Sequence, residues 1–291
     1  MNRIVCIGSV LWDIIGRTEN AMSLGADRPG RITRIPGGVA MNIAQTLARL
    51  GVTPVLLTAL GRDHPGDELI EAARALGMVT DHIHRSDLPT DTYMAIESGG
   101  DLTAAIADAH SLEAIGDAIL GPILDGALGR PDAPFDGVIA LDGNLTHALL
   151  AEIAAHPAFA SADLRVAPAS PGKIDRLMPF LNCDHATLYI NLEEANALSG
   201  TADVTAPEAA VTLSRLTRAR VLVTDGPRAA AMVGPDGVLT AIPPAVTALR
   251  VTGAGDTFMA AHIVAERAGK APAAALPAAL ETAARYVSGT D

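Results

Sequence analysis

The sequence predicts an α/β fold in which a mainly parallel central sheet is flanked by helices. Short apolar runs are typical of strands that are buried on both faces, and the Ala- and Leu-rich segments between them have helical periodicity. A chain that alternates strands and helices in this way builds a parallel sheet with helices packed on it. The strand candidates are RIVCIG, PVLLTALG, GVIALDG, LRVAP, TLYIN and RVLVTDG.

Two other segments depart from this rhythm and predict a small β-sheet lid. Residues 31–36 and 92–107 alternate polar and apolar side chains, the second of them around a Gly-Gly turn. Because these strands come from separate parts of the sequence, we expect a lid attached to the main domain, with lid segments at about 12–36 and 88–110. Residues 1–291 are therefore predicted to form a single domain.

The composition favours a globular protein that acts on small molecules. Of the 291 residues, 49% are hydrophobic, which is enough for a large buried core. The formal net charge of -12 comes without any basic block, so we expect no nucleic-acid partner. The sequence shows neither a signal peptide nor a long apolar run, so we expect no membrane segment and a cytoplasmic location. The cysteines and histidines are scattered and predict no protein-held zinc.

The most informative segment is RVTGAGDTFMAAHIVAE, residues 250–266, where a glycine-rich turn leads into a helical pattern. Such a turn predicts an anion hole, because its free amides and the positive end of the helix dipole attract negative charge. The residues of this hole would be Gly253, Ala254 and Gly255. Asp256 has two interpretations: an ordinary acid in the first turn of a helix, or a general base that takes the proton of an acceptor hydroxyl.

The TGAGDTF part of this segment reproduces most of the C-terminal signature of the ribokinase-like (PfkB) kinases, and the chain resembles this family in further motifs. The resemblance implies a phosphotransferase that uses ATP and Mg²⁺, with Asp256 as the catalytic base. It leaves open whether a monovalent cation such as K⁺ is also needed.

Two N-terminal motifs resemble the sugar-binding part of the same family. GSVLWDIIG is similar to the family's first strand and the substrate-binding acid that follows it. PGGVAMNIAQTLARLG is similar to the N-terminal signature, although its two glycines alone would also suit a turn before a capped helix. The resemblance implies sugar contacts by Asp13, Gly37, Gly38 and Asn42.

Three further motifs resemble the nucleotide-binding part of the family. NLEE resembles the NxxE element, which implies Asn191 near the ATP phosphates and Glu194 at Mg²⁺, largely through water. VTDGPRAA is similar to the nucleotide-binding strand and turn, which implies that Thr224 and Gly226 lie beside ATP. PASPGK implies a phosphate contact by Lys173. The alternatives are an exposed acid at a helix start and a solvated lysine in a loop.

The acceptor is predicted from less general segments. RPGRITRIPGGVAMNIAQTLARLG, DLTAAIADA, LDGNLT and PASPGK are similar to runs of bacterial pseudouridine kinases, which implies phosphorylation of the 5′-hydroxyl of pseudouridine. Thr92, Tyr93 and Asp108 are candidate substrate contacts because they lie on the two predicted lid strands, although Tyr93 could instead only cap an apolar face. Asp142 is a fourth candidate, because ligands collect beyond the carboxyl ends of parallel strands.

Three positions depart from the family pattern. Arg250 stands where the family has an acid six residues before the base, and Ala229 where a second glycine is frequent. Ala167 stands where pseudouridine kinases have an aspartate. The change at Arg250 predicts altered packing or altered monovalent-cation coordination near the nucleotide loop.

Two other functions remain open at this stage. The acceptor could be another sugar or nucleoside, such as ribose, fructose or an adenosine-type nucleoside. Alternatively, the chain could be a non-catalytic regulator that binds a sugar or nucleoside and keeps the same fold. The lid strands also have edges that could pair with a second subunit, so a homodimer through the lid is one arrangement that they allow.

Overall fold

The computed structural model describes residues 3–23, 25–99, 101–234 and 236–290 of the chain. The strands, in chain order, are β1 (Arg3–Ile7), β2 (Leu11–Thr18), β3 (Arg31–Gly37), β4 (Thr53–Leu57), β5 (Ala59–Gly61), β6 (His84–Ser86), β7 (Thr92–Ser98), β8 (Asp101–Asp108), β9 (Val138–Asp142), β10 (Asp163–Ala167), β11 (Ala186–Asn191), β12 (Arg220–Thr224), β13 (Ala230–Gly234) and β14 (Gly237–Ala241).

The helices are α1 (Val39–Arg49), α2 (His64–Ala75), α3 (Ser111–Ile115), α4 (Gly121–Leu124), α5 (His147–Ala155), α6 (Leu192–Ser199), α7 (Ala206–Leu216), α8 (Ala254–Arg267) and α9 (Pro272–Ser288). Short 3₁₀-helical segments cover Gly116–Leu120, Pro157–Phe159 and Pro171–Asn182. None of the helices in the described ranges is both long enough and apolar enough to cross a membrane.

Within the described ranges, eight strands form one sheet in the order β14-β13-β12-β11-β10-β9-β1-β4. The strands from β12 to β4 pair in parallel, whereas β13 and β14 at one edge pair antiparallel. The mainly parallel central sheet predicted from the sequence is therefore confirmed. Because the carboxyl ends of parallel strands meet at one edge, polar residues that follow these strands are brought together.

Helices cover both faces of the large sheet. Along β1, Val5 and Ile7 belong to an apolar cluster with α5 and α7, while Ile4 and Cys6 belong to a second cluster with α1 and α8. Successive side chains of a strand point to opposite faces, so a strand that is covered on both sides is apolar throughout. This packing explains why the core strands read as uninterrupted apolar runs.

One strand candidate differs from the structure. PVLLTALG is a single run in the sequence, but β4 ends at Leu57 in the large sheet, and β5 begins at Ala59 and pairs with β6 in a separate two-stranded sheet. At the break between them, the carbonyl of Thr58 accepts a hydrogen bond from the amide of His84 at 2.9 Å. Both halves of the run are buried, so hydropathy carries no mark of the division.

A smaller four-stranded sheet, found among the same described residues, has the order β3-β2-β7-β8 and confirms the predicted small sheet. β2 pairs in parallel with β7 and antiparallel with β3, and β8 pairs antiparallel with β7. Asp13 lies in register with Ile35 and Tyr93, so these three side chains share one face of the sheet. Met94 and Ile106, which are in register with each other, share the opposite face.

Candidate active site

The glycine-rich turn before α8 is held in a conformation that requires glycine. Gly253 precedes the helix with φ 85°, in the left-handed region, where a side chain is strained. A Cβ added to Gly253 would also lie 2.5 Å from the hydroxyl oxygen of Tyr286. Both constraints require glycine at this position.

The amides at the start of α8 correct the predicted anion hole in one respect. The Ala254 amide donates to the carbonyl of Val251 at 3.0 Å, and the Thr257 amide donates to the carbonyl of Gly253 at 2.9 Å. The first turn of a helix leaves its amides without intrahelical acceptors, and here Gly255 and Asp256 carry those amides. The Ala254 amide is therefore already occupied within the turn, whereas the amides of Gly255 and Asp256 are left available for an anion.

Asp256 is joined to the N-terminal motif by a direct hydrogen bond. The side-chain nitrogen of Asn42 donates to Oδ2 of Asp256 at 2.9 Å. Asn42 lies in α1, and its own amide donates to the carbonyl of Gly38 at 2.8 Å. The two helices also meet at Thr46, one turn after Asn42 in α1, and Thr257, the residue after Asp256 in α8. Their hydroxyl oxygens are 3.4 Å apart. The two motifs, more than 200 residues apart in the sequence, thus form one site.

The environment of Asp256 makes its carboxylate a base that can work near neutral pH. Burial is the largest effect and raises its pKa to about 7, against the hydrogen bond from Asn42, which lowers it. The negative charges of Asp142, Asp13 and Glu194 raise the pKa further. A carboxylate with a pKa near the working pH is suited to general base catalysis.

Asp13 lies beside the glycine pair that the sequence predicts as a sugar-binding turn. Burial raises the pKa of Asp13 to about 6. A Cβ on Gly37 would overlap the carboxylate of Asp13, and a Cβ on Gly38, which has φ 93°, would lie 2.5 Å from the carbonyl oxygen of Ser9. The missing side chain at Gly37 therefore leaves room for the Asp13 carboxylate, and the missing side chain at Gly38 leaves room for the backbone of Ser9.

The small sheet brings one of its three candidate residues, Tyr93, next to Asp13. Tyr93 is the register partner of Asp13, and burial together with the charge of Asp13 raises the pKa of the Tyr93 hydroxyl. Thr92 begins β7 and is in register with Trp12 and with Asp108 at the exposed end of β8. Tyr93 thus shares a face with Asp13, whereas Thr92 and Asp108 lie on the opposite face of the sheet.

The predicted role of Asp142 as a substrate contact is corrected by its surroundings. Asp142 is fully buried, and its Oδ2 accepts hydrogen bonds from the Ser9 amide at 2.7 Å, the Ser9 hydroxyl at 2.9 Å and the Ala40 amide at 3.2 Å. Its Oδ1 accepts from the Asn144 amide at 2.6 Å. A Cβ on Gly8 would overlap this carboxylate. Asp142 therefore clamps the ends of β1 and β9 to the start of α1.

Lys173 is connected to the same clamp through residues that the sequence analysis missed. Its ammonium donates to Oδ1 of Asn144 at 2.7 Å, and the side-chain nitrogen of Asn144 donates to the hydroxyl of Ser9 at 2.9 Å. Burial and the charge of Arg176 lower the pKa of Lys173. Ser9 and Asn144 both follow an apolar core strand within two residues, and that placement is the sequence signal that could have identified them.

Asn191 and Glu194 form a reciprocal cap at the start of α6. The Glu194 amide donates to the side-chain oxygen of Asn191, and the Asn191 amide donates to Oε2 of Glu194, both at 2.8 Å. Glu194 is only 7% exposed, so its alternative interpretation as an exposed helix-start acid is wrong. Burial is the largest effect on this carboxyl and raises its pKa to about 7. A buried carboxylate with raised pKa gains from a nearby divalent cation, so oxygen donors suited to Mg²⁺ are present here.

Three of the four candidates for ATP contacts lie at the carboxyl ends of two neighbouring strands, and Lys173 lies apart from them at Asn144. Asn191 at the end of β11 is in register with Thr224 at the end of β12. The Thr224 hydroxyl lies 3.5 Å from the carbonyl oxygen of Ile190. Gly226, with φ 54°, turns the exposed loop after β12. Asn191, Thr224 and Gly226 are thus grouped, as parallel strands predict.

The family of the chain follows from comparison with known sequences. A sequence model described as pfkB family carbohydrate kinase matches residues 1–290. The chain belongs to this family. A pfkB relative, the pseudouridine kinase of Escherichia coli K12, is 32% identical over 204 residues, which are 68% of this chain and 61% of that protein. The match thus spans less than two thirds of that relative's length.

Solved structures agree with this pfkB assignment. A carbohydrate kinase from Agrobacterium tumefaciens matches with a TM-score of 0.79 and 26% identity, over 98% of this chain and 90% of that one. A ribokinase from Arabidopsis thaliana, complexed with ribose and ATP, matches with a TM-score of 0.76 and 21% identity, over 98% of this chain and 92% of that one. The fold is therefore ribokinase-like, with the large sheet and the smaller sheet in one architecture.

Proposed function

We propose that this chain is an ATP-dependent kinase that phosphorylates the 5′-hydroxyl of pseudouridine, giving pseudouridine 5′-phosphate and ADP. The observation that carries the proposal is the hydrogen bond between Asn42 and Asp256 at the start of α8. It joins a predicted sugar-binding residue to a carboxylate whose pKa is about 7, next to free helix amides. A base, a hydroxyl-binding residue and an anion site are the parts that phosphoryl transfer requires.

In the proposed reaction, Asp256 takes the proton of the acceptor 5′-hydroxyl. The 5′-oxygen forms a bond to the γ-phosphorus of ATP, and the bond from that phosphorus to the bridging oxygen breaks as ADP leaves with the electron pair. The amides of Gly255 and Asp256 stabilise the charge on the transferring phosphoryl group. The proton stays on Asp256 until product release. Because the phosphoryl group passes directly from ATP to the acceptor, no covalent enzyme intermediate is needed.

The proposed nucleotide side is formed by the carboxyl ends of β11 and β12. Asn191, Thr224, Gly226 and Lys173 are the proposed ATP contacts, and Glu194 is the proposed contact to Mg²⁺ through water. Bound Mg²⁺ would neutralise phosphate charge during the transfer. Glu194 is fixed by its cap with Asn191, so its carboxylate is oriented before any metal arrives. The use of ATP fits the cytoplasmic location expected from the sequence.

Pseudouridine is the proposed acceptor because both the relatives and the polar face of the small sheet favour a nucleoside. The curated relative with 32% identity is a pseudouridine kinase. Asp13 offers a carboxylate for ribose hydroxyls, together with Asn42 and the backbone at Gly37 and Gly38. Tyr93 beside Asp13 offers a hydroxyl to the base edge. Thr92 and Asp108 belong to the proposed lid. Asp142 holds Ser9 and the start of α1 in place through hydrogen bonds.

The proposal is tested by incubating the purified protein with Mg·ATP and a panel of pseudouridine, uridine, adenosine, ribose and fructose, with phosphorylated products detected by mass. A dominant pseudouridine product supports the proposal. Preferred turnover of another compound would support the kinase activity but contradict pseudouridine as the acceptor. Nucleoside binding by calorimetry without any product would favour the regulator, which is the competing interpretation.

We also propose that the chain acts as one domain in which the smaller sheet is a lid, and that two chains pair through it as a homodimer. The lid exposes aliphatic side chains on one face, with Ile32 76% and Ile106 70% exposed, close to Met94 and Ile96. Its outer strands β3 and β8 each have one edge that pairs with no other strand among the described residues. Light scattering of the parent and of an Ile106→Lys variant tests this: the parent should be a dimer and the variant a monomer.

A further inference from the structure

The segment that leads into the anion-binding turn is fastened to the last helix. The amides of Leu249 and Arg250 both donate to the carbonyl of Val287 near the end of α9, at 2.9 and 3.2 Å. This segment has no regular secondary structure of its own, so its position depends on such contacts. The end of α9 therefore sets where the chain enters the turn.

Tyr286 extends this attachment to the turn itself. Its hydroxyl donates to the carbonyl of Thr252 at 2.8 Å. The same hydroxyl lies 2.5 Å from the position that a Cβ of Gly253 would take, so the tyrosine and the glycine backbone are in close contact. Gly255 and Asp256 follow within three residues, and a shift at Thr252 would move their amides. The Tyr286 hydroxyl thus holds the turn through the carbonyl of Thr252 and the contact with Gly253.

Arg250 places a positive charge on the carbonyl end of α9. Its Nε donates to the carbonyl of Tyr286 at 2.8 Å, and its guanidinium carbon lies 3.9 Å from the centre of the Tyr286 ring. The C-terminal end of a helix carries partial negative charge, and an aromatic face attracts cations. Arg250 therefore meets three attractive features: the carbonyl, the helix end and the ring.

A monovalent cation does not fit these residues. A metal ion such as K⁺ needs oxygen acceptors, whereas Arg250 offers only N–H donors and a fixed positive charge. That charge already lies on the carbonyl of Tyr286, and a second cation in contact with it would be repelled. The K⁺ requirement left open by the sequence is therefore disfavoured at this loop.

We propose that Arg250 and Tyr286 are positioning residues for the anion-binding turn, and that the Arg250 guanidinium is a tethered cation that makes a monovalent metal ion unnecessary. The proposal rests on the kinase function proposed above. Neither residue touches the reacting atoms; each acts by holding the turn that carries Gly255 and Asp256.

The first test removes only the Tyr286 hydroxyl. Tyr286→Phe should lower kcat about 10-fold, the scale of one lost hydrogen bond in a preorganised site, while the KM for the acceptor stays within about two-fold. Thr282→Val is the matched control, because its hydroxyl donates within α9 to the carbonyl of Ala278 and not to the turn. It should keep the parent kcat. An unchanged kcat in Tyr286→Phe, or an equal loss in the control, would overturn the role of Tyr286.

The second test concerns the cation. The turnover of the parent should change by less than about two-fold among K⁺, Na⁺ and tetramethylammonium chlorides at equal ionic strength, since screening is then constant. Arg250→Ala should lose about 10-fold in kcat and regain part of it with added guanidinium or K⁺. Arg285→Ala, which removes an exposed charge from the same helix, should show neither effect. A parent that requires K⁺, or an Arg250→Ala variant without loss, would overturn the proposal.

Thermal unfolding separates this proposal from the kinase assignment. If no acceptor is turned over in any salt, the kinase function fails, but the tethered cation is still measurable. Arg250→Ala should then melt below the parent and be stabilised by guanidinium or K⁺ at millimolar concentration, whereas the parent should not respond. Equal melting of parent and variant in all salts would reject the tethered cation.

Discussion

Replacing Asp256 by asparagine removes the proposed base with almost no change in volume. The variant can no longer accept the proton of the acceptor hydroxyl, and general base catalysis is worth about 10²- to 10⁴-fold in rate. The Asn42 contact can survive, because the side-chain oxygen of the new asparagine can accept the same hydrogen bond. We therefore expect kcat to fall by at least about 100-fold, while the binding of nucleoside and ATP persists.

The same substitution should make the protein more stable at alkaline pH. The pKa of Asp256 rises from its ordinary value of 3.8 to about 7, mainly through burial. At about 1.4 kcal/mol for each pKa unit, the full effect is about 4 kcal/mol, which we halve to about 2 kcal/mol because the side chain is half-buried. The folded parent binds this proton more tightly than the unfolded chain. Its stability relative to the variant is therefore lost as the pH rises from about 4 through about 7.

Thermal unfolding at pH 5 and pH 8 measures this difference. Asp256→Asn should melt about 4 °C above the parent at pH 8 and only about 1.5 °C above it at pH 5, where over half of the proton-linked stability remains. Asp81→Asn, at an exposed turn, is the control and should change neither melting nor turnover. In the parent, kcat/KM should rise with pH through about 7 as Asp256 loses its proton. Turnover by Asp256→Asn at the parent rate, or melting below the parent at pH 8, would refute this reasoning.

Three further changes probe other parts of the structure. Gly37→Ala should raise the KM of the acceptor at least about 10-fold, because its Cβ overlaps the Asp13 carboxylate; steady-state kinetics measures it. Asp142→Asn should lower the free energy of unfolding by about 3 kcal/mol in urea, since an amide cannot accept all four hydrogen bonds. Burial lowers the pKa of His262 from 6.5 to about 4, so relative to His262→Phe the parent should lose about 3 kcal/mol between pH 6.5 and pH 4.

Each of these expectations has an outcome that contradicts it. A normal acceptor KM in Gly37→Ala would show that the Asp13 carboxylate can move aside freely. Urea unfolding of Asp142→Asn at the parent midpoint would show that the clamp contributes little. His262 is a buried neutral histidine, so the unfolded chain binds its proton at a higher pH than the folded protein does. Acid therefore lowers the free energy of unfolding of the parent. A constant difference between the parent and His262→Phe across this pH range would therefore contradict the assigned pKa.

The sequence predicted the parts of the fold that depend on local pattern. The core strands are apolar along their whole length because both faces of the sheet are covered, and the turn before α8 needs glycine at Gly253 whatever surrounds it. The family assignment and the presence of a large and a smaller sheet were also predicted from local motifs and strand patterns, and both are confirmed. The division of one apolar run at Thr58 was not predictable, because it depends on pairing with β6.

Two predictions about the site needed correction: the role of Asp142, which depends on partners distant in the sequence, and the use of the Ala254 amide, which depends on a local turn. Asp142 looked like a ligand because it ends a strand, but its role is decided by amides of Ser9 and Ala40, more than 100 residues away. For Glu194 only the alternative of an exposed acid is wrong, because the residue is buried by tertiary packing that a helix-start motif does not reveal. The amide of Ala254 is used by Val251 through local geometry that only coordinates reveal. The roles of the other site residues stay predictions.

The Asn42 contact to Asp256 has a consequence for how new acceptors can evolve. Because this hydrogen bond lowers the pKa of Asp256, a replacement of Asn42 that refits the pocket to another sugar also makes the base hold its proton more tightly. On the proposed roles of Asn42 and Asp256, a change of acceptor made through Asn42 also shifts the pH optimum. A lineage that changes its acceptor through Asn42 must also adjust the charges near Asp256 to keep the same working pH.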